Sequence, residues 1–162
     1  MSKTQGFSYL LVFIDTFTGW IEAFLTKTER AIEVSKALLK EIVPRFGLPR
    51  SLQSDIGPSF TATIFQNLAT CLGIKYCLHS SWRPQASEKV ERANQTLKRA
   101  LAKLNQETHN KWIHMLPIAL MMVRTVPKWS LLLSSYEMTY GHPFLTSDLF
   151  FDEDTNTLLK HN

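Results

Sequence analysis

Cysteine, glycine and long apolar runs are all scarce in this chain. Of 162 residues, two are Cys and six are Gly. Cys71 and Cys77 flank a helix-to-strand junction with His79 just beyond. No second ligand pair follows at zinc spacing, which argues for two buried thiols rather than a zinc site. A Gly-rich phosphate loop, a nucleophile elbow and a His/Glu zinc-protease signature are all absent, so the chemistries they serve have no residues to run on. No stretch approaches the roughly 20 apolar residues of a membrane span, and Met1–Gly6 leads straight into a strand rather than a signal peptide. The expectation is an intracellular, nuclear protein with no membrane partner. Internal repeats and low-complexity segments are missing too. Asn94-Gln95-Thr96 has the form of a glycosylation sequon, but it falls inside an expected helix and is set aside.

What is present is a core and a charge. Hydrophobic residues make up 44% and charged residues 20%, the balance of one globular domain of this length. The net charge of +4 hides an asymmetry. Asp148, Asp152, Glu153 and Asp154 against Lys160 make the last sixteen residues acidic, so residues 1–146 carry +7. That excess suits a polyanionic partner, although a generic basic surface is the plainer explanation. The expected organisation is a core domain over residues 1–145 and an acidic tail over 146–162.

Along the chain, Ser8 to Asp15 and Trp20 to Thr26 read as two largely buried strands of a hairpin around a turn at Thr16–Gly19. From Glu29 the period changes, and Ala31, Val34, Leu38 and Ile42 predict a helix ended by Pro44 and Gly47. Leu48 to Ser54 predicts a strand, Ala62 to Leu72 a helix stopped by Gly73, and Ile74 to Leu78 a strand. Such a strand-helix-strand unit implies parallel pairing. After a polar loop, His79 to Ala86, Ser87 is expected to cap a helix with a stripe of Val90, Ala93, Leu97, Leu101 and Leu104. A Met-rich helix to about Arg124 follows, kinked or interrupted at Pro117, and Tyr136 to Tyr140 adds a last turn.

Asp55 and Glu91 are the residues with chemical potential. Asp55 closes a strand, Glu91 opens the basic helix, and 35 residues lie between them. Carboxylates that converge on Mg²⁺ can activate one oxygen and stabilise another in phosphodiester transfer. Each has an ordinary explanation as well. Asp-x-Gly-Pro is a good turn, and an acid near a helix N-terminus is favoured by the dipole. Lys89, Arg92, Lys98, Arg99 and Lys103 place five of the 18 basic residues on that one helix. Lys98, seven residues after Glu91, shares its face and could reach a phosphate; a solvated face touching nothing is the alternative. Met115, Met121 and Met122 read either as core packing or as an interaction face.

Several runs together resemble the catalytic core of retroviral integrases, gammaretrovirus-like and endogenous ones in particular. They are Tyr9 to Ala23 (YLLVFIDTFTGWIEA), Pro44-Arg45-Phe46-Gly47, Ser54 to Phe60, Arg83-Pro84-Gln85, Val90-Glu91-Arg92-Ala93-Asn94 and Tyr136 to Gly141. The resemblance covers about residues 9 to 145. It implies an α/β, ribonuclease-H-like fold, a mixed sheet flanked by helices. It also implies Mg²⁺-dependent (or Mn²⁺-dependent) 3′-end processing and strand transfer of DNA. Under it, Asp55 and Glu91 take the last two places of the family's Asp, Asp, Glu metal-binding set, known as the DDE motif. DNA, integrase-like chains and a second copy in a dimer are the implied partners.

The same resemblance marks departures. The family's first Asp stands on a central strand about twenty residues upstream of the position of Asp15, and Met1–Gly6 hold no carboxylate. Asp15 itself matches a residue that is not a ligand, so a turn contact is its expected role. Ile56 replaces a usual Asn, and Glu88 replaces a usual Gly, bringing negative charge close to the metal and phosphates. The expectation is a fold lacking the first, central strand, with backbone groups unpaired at the middle of its sheet. Such a copy would be weakly stable, or would close its sheet in altered register, or would borrow a strand. It would be catalytically impaired alone, with a non-catalytic nucleic-acid-binding or integrase-interacting remnant as the alternative.

Overall fold

A computed structural model describes residues 8–54, 57, 62–78, 84–108, 112–128 and 131–145, with 84–87 described in backbone only. The hairpin forms as β1 (Tyr9–Ile14) and β2 (Ile21–Thr26), antiparallel from Tyr9 opposite Thr26 to Ile14 opposite Ile21. At its turn the Asp15 carboxylate accepts from the Thr18 amide at 2.8 Å and the Thr18 hydroxyl at 2.6 Å, while the Gly19 amide donates to the Asp15 carbonyl at 2.7 Å. Gly19 has φ +70°, and a Cβ there would come within 1.8 Å of Lys128 Nζ. Both conformation and space therefore call for glycine.

The helical period after Glu29 resolves into α1 (Ala31–Ala37), a π-helical turn (Leu38–Ile42) and α2 (Val43–Phe46). Pro44 explains the break: it has no N–H to donate and its ring crowds the preceding turn, so the ladder widens before it. β3 (Ser51–Ser54), α3 (Thr63–Cys71) and β4 (Lys75–Leu78) follow, and β3 and β4 pair in parallel as the spacing implies. α4 (Pro84–Thr108) and α5 (Trp112–Thr125) cross the other side, with Pro117 inside a continuous α5. α6 (Ser135–Tyr140) closes the described chain.

Four expectations change. β1 is only half-buried, with Tyr9 exposed, because among the described residues its outer edge has no strand beside it. Cys71 is exposed and Cys77 half-buried rather than buried, since Cys71 ends α3 on its solvent side. Ser87 is no N-cap, because α4 starts three residues earlier at Pro84, where a missing N–H costs no helical hydrogen bond. Finally, the described strands form two separate two-stranded sheets, β1-β2 and β3-β4, rather than one mixed sheet.

Two apolar clusters sandwich these strands. One gathers Ile21 and Ala23 of β2, Ala93, Leu97, Leu101 and Leu104 of α4 and Met115, Leu116, Ala119 and Leu120 of α5. The other gathers Ala31, Val34, Leu38, Phe65, Ala69 and Ile74. β1 feeds both by simple alternation: Leu10, Val12 and Ile14 pack on the first, Leu11 and Phe13 on the second. Met115 and Met122 belong to the first cluster, so core packing accounts for them.

Glu22 ties the hairpin to the helices. It is 5% exposed. Its Oε1 accepts from Trp20 Nε1 at 2.9 Å and Arg45 Nη1 at 3.2 Å, and its Oε2 pairs with Arg124 Nη2 at 2.9 Å. Arg124 also donates through Nε and Nη2 to the Ile21 carbonyl at 2.9 and 2.6 Å, and lies 4.3 Å over the Trp20 ring. Burial pulls the Arg124 guanidinium below its ordinary value, while the Glu22 charge and hydrogen bond act in the opposite direction.

Candidate functional site

Among the described residues the two strand pairs form separate ladders, and both border a cavity of about 780 Å³. β1 lines it through Leu10 to Ile14, β3 through Ser51 to Ser54, and α4 through Val90, Glu91 and Asn94. Asp15, Thr16 and Thr18 of the hairpin turn stand on the same cavity. Glu91 is exposed on α4. It is the eighth residue of that helix rather than part of its first turn, so the dipole, which fades within one turn, does not explain it. Asn94, one turn on, joins Glu91 at the cavity; the i, i+3 spacing was the signal for it.

Asp55 lies outside the described residues, as do Ile56, Trp82 and Arg83; Ser54, which precedes Asp55 in sequence, lines the cavity. The Asp15 carboxylate is held by Thr18. Burial alone would raise its pKa, but the Thr18 side-chain and backbone hydrogen bonds, the Phe17 amide and the charge of Lys128 together bring it below the ordinary 3.8. That is the turn contact expected of it. Among the described residues no group of three His, Cys, Asp or Glu side chains converges on one point. Carboxylate oxygens are the right donors for Mg²⁺, so Glu91 fits such an ion in kind, and the described residues alone supply no full ligand set.

The five basic residues of α4 are all exposed, but they are not equivalent. Lys89 Nζ donates to the Thr16 carbonyl at 3.1 Å, which pins the helix to the hairpin turn. Arg92 is engaged by Glu88 one turn before it, and Lys103 stands 3.8 Å from Glu107. Lys98 and Arg99 have no ion pair with a described residue. At 3.6 residues per turn, Lys98 projects within about 20° of Glu91, whereas Arg99 turns about 80° away. Lys98 alone therefore continues the line of Glu91, while Arg99, Arg92 and Lys103 share a strip of the helix surface about 80–120° round from it.

Comparison with known proteins places these features. Residues 1–84 match the integrase core domain model. Over 139 residues the chain is 54% identical to the Gag-Pol polyprotein of gibbon ape leukemia virus and 53% identical to that of koala retrovirus. Each alignment covers 85% of this chain and 8% of the polyprotein. The Gag-Pol polyprotein of feline leukemia virus is 47% identical over 153 residues, 94% of this chain and 9% of its own length. The chain thus spans less than a tenth of these relatives. Among solved structures, the catalytic core domain of BIV integrase superposes with a TM-score of 0.69 at 29% identity, covering 80% of this chain and 83% of that one. A chain of the simian T-cell lymphotropic virus intasome in complex with PP2A regulatory subunit B56 gamma gives 0.74 at 28% identity, covering 85% and 50%. The HTLV-2 integrase catalytic core domain in complex with magnesium gives 0.68 at 25% identity, covering 79% and 82%. The fold is that of retroviral integrase cores, ribonuclease-H-like.

Proposed function

Because the chain belongs to the integrase core domain family, we propose that it is a retroviral integrase core whose partner is DNA, bound along the exposed face of α4. Glu91 on the cavity rim, with Lys98 on the same helix face, is the observation that carries this reading. Asp55 and Glu91 would hold Mg²⁺ or Mn²⁺, which when bound activates the attacking oxygen and stabilises the leaving one. Lys98 is placed to take the phosphate nearest Glu91, and Arg99, Lys103, Arg92 and Lys89 fix the register of the backbone. The nucleus, where such DNA lies, is the compartment this reading assigns.

Strand transfer by this copy is weak in the same proposal, and nucleic-acid binding without catalysis is the favoured second reading. Asp15 is committed to its turn, and Glu88 both occupies Arg92 and adds negative charge near the phosphates. Other integrase-like chains, a second copy included, are the proposed protein partners.

The test incubates the purified chain with viral-end DNA and Mg²⁺ or Mn²⁺, using Glu91→Gln as the control. Strand transfer that Glu91→Gln abolishes establishes the enzyme; its absence together with salt-sensitive binding establishes the binder. For about five phosphate contacts, log K should fall against log salt with a slope of roughly −4.5, and removing Lys98 and Arg99 together should lower the magnitude of that slope by about 2. Affinity indifferent to salt would remove DNA as the partner.

A further inference from the structure

Two ammonium groups from different elements converge on the hairpin turn. Lys89 of α4 donates to the Thr16 carbonyl at 3.1 Å, and Lys128, which follows α5, donates to the Thr18 carbonyl at 2.6 Å. Gly19, with no Cβ to fill the space, is what lets Lys128 Nζ lie against the turn. The turn has little more to offer either lysine. Its Asp15 carboxylate already accepts from the Phe17 and Thr18 amides and the Thr18 hydroxyl, while the Asp15 carbonyl accepts from Gly19 N and the Gly19 carbonyl from Ser135 Oγ. Each ammonium carries three N–H donors, so one bond to a carbonyl leaves two apiece unspent among the described residues. Neither lysine forms an ion pair with a described residue. Burial first, and then the charge of Lys89, hold the Lys128 ammonium below its ordinary 10.5, with Asp15 acting the other way.

A tether explains one bond from each lysine but not the use of two cations. A neutral donor can hold a carbonyl, whereas like charges brought to one turn repel each other. An anion that only accepts hydrogen bonds satisfies both, and a phosphate oxygen is the strongest such acceptor on a polyanion. The place of the pair on the molecule points the same way. Neither lysine lines the cavity where Asp15 and Glu91 stand. At about 100° per residue, Lys89 leaves α4 about 160° round from Glu91 but only about 40–80° from Arg92, Arg99 and Lys103. It stands at the end of that basic strip, and Lys128 carries the strip beyond the helix. Lys89 and Arg99 are about 15 Å apart along the axis, the rise of about four nucleotides in one strand. The pair therefore meets a phosphate of its own rather than sharing one with Arg99.

We propose that Lys89 and Lys128 together form a phosphate-binding site at the hairpin turn, which grips one backbone phosphate of bound DNA on the flank of α4 turned away from Glu91. Lys128 is thereby a DNA-positioning residue supplied from outside α4. The site rests on DNA being the partner of α4, but the converse does not hold: DNA can bind α4 without using Lys128.

The test measures binding of the full chain to a short DNA duplex across a salt series. The variants are Lys89→Gln, Lys128→Gln, the two combined, Lys128→Arg, and Lys75→Gln as a control at an exposed lysine of β4. The double variant should lower the magnitude of the salt slope by about 1. Because one phosphate is shared, each single change should give most of that loss; Lys128→Arg should keep the native slope, and so should Lys75→Gln. A drop of about 2 in the double variant would make the lysines independent contacts. An unchanged slope, or an equal drop in Lys75→Gln, would leave a generic basic surface. Each of these results overturns the shared site, while a steep native slope keeps DNA as the partner. A native chain whose affinity ignores salt removes the DNA reading and the site with it. Lys128 is half-buried, so its variants can lose the fold; amine acetylation of the native chain, read by mass spectrometry, needs no variant. Bound duplex should protect Lys89 and Lys128 together and leave Lys75 open. Lys128 labelled equally with and without DNA, or in neither case, overturns the site.

Discussion

The β1-β2 hairpin and the β3-β4 pair border the same cavity but are held by different means. The hairpin has six residue pairs and a turn locked by Asp15, Thr18 and Gly19. It is also pinned through Glu22 to Arg45 of α2 and Arg124 of α5. The β3-β4 pair has four residue pairs and leans on apolar contact, with Leu52 and Tyr76 packed against Phe65 and Leu38. One half is positioned by charged contacts, the other by apolar contact with a side-chain hydrogen bond across the pair, Ser54 Oγ to Tyr76 Oη at 2.6 Å. The lesson is that the hairpin can hold its place beside an open edge, whereas β3-β4 depends on how well its cluster is filled.

The comparison breaks most sharply at Glu22. Glu22→Ala leaves the Arg124 guanidinium partly buried against Trp20 without its carboxylate, and should cost about 4 kcal/mol in urea unfolding. Glu22→Gln should cost less, since the amide oxygen still accepts from one partner; equal losses would deny a charged clasp. On the other side, Leu38→Ala removes a fully buried side chain and should cost about 3 kcal/mol, with the β3-β4 amides losing exchange protection before those of β1-β2. Simultaneous loss in both pairs would make the two halves one cooperative unit. A smaller effect is expected at α6, where Ser134 and Glu137 cap the helix reciprocally, the Glu137 amide donating to Ser134 Oγ at 3.1 Å and Glu137 Oε2 accepting from Ser134 N at 2.8 Å. Ser134→Ala should cost about 1 kcal/mol by thermal melt.

The smallest effect expected is a pH dependence in the hairpin. Asp15 has its pKa lowered in the folded chain, so its contribution is complete above the ordinary carboxylate value of 3.8 and fades as pH falls through the lower folded value. Acid titration of stability should show this step in the native chain and lose it in Asp15→Asn. A step that survived the substitution would assign it to another carboxylate.

Most of the element order was legible in the sequence because it rests on local period: the stripe on α4, the hairpin alternation and the strand-helix-strand spacing. The Asp15 turn contact was legible for the same reason. The helix start at Pro84 was missed because Ser87 imitates a cap, and a Pro in the first turn is a weaker mark than a Ser. The π turn has no sequence signal of its own, since Pro44 marks a helix stop and the ladder instead widens to admit it. The Glu22 clasp had no local signal at all, since Arg45 and Arg124 lie 23 and 102 positions away. At the site, spacing and charge pointed to Glu91 and Lys98, while the pairing of Arg92 with Glu88 and the tether of Lys89 to Thr16 depend on side-chain geometry.

The clasp between Arg124 and the start of β2 also bears on the order in which the chain folds. Six residues separate β1 from β2 and twenty separate β3 from β4, so each strand pair closes a short loop and can form early. The bond from Arg124 to the Ile21 carbonyl closes a loop of about a hundred residues, the entropically costly step that non-local contact imposes. A clasp that forms after the main barrier acts as a latch. Loosening it should speed unfolding and leave the refolding rate nearly unchanged.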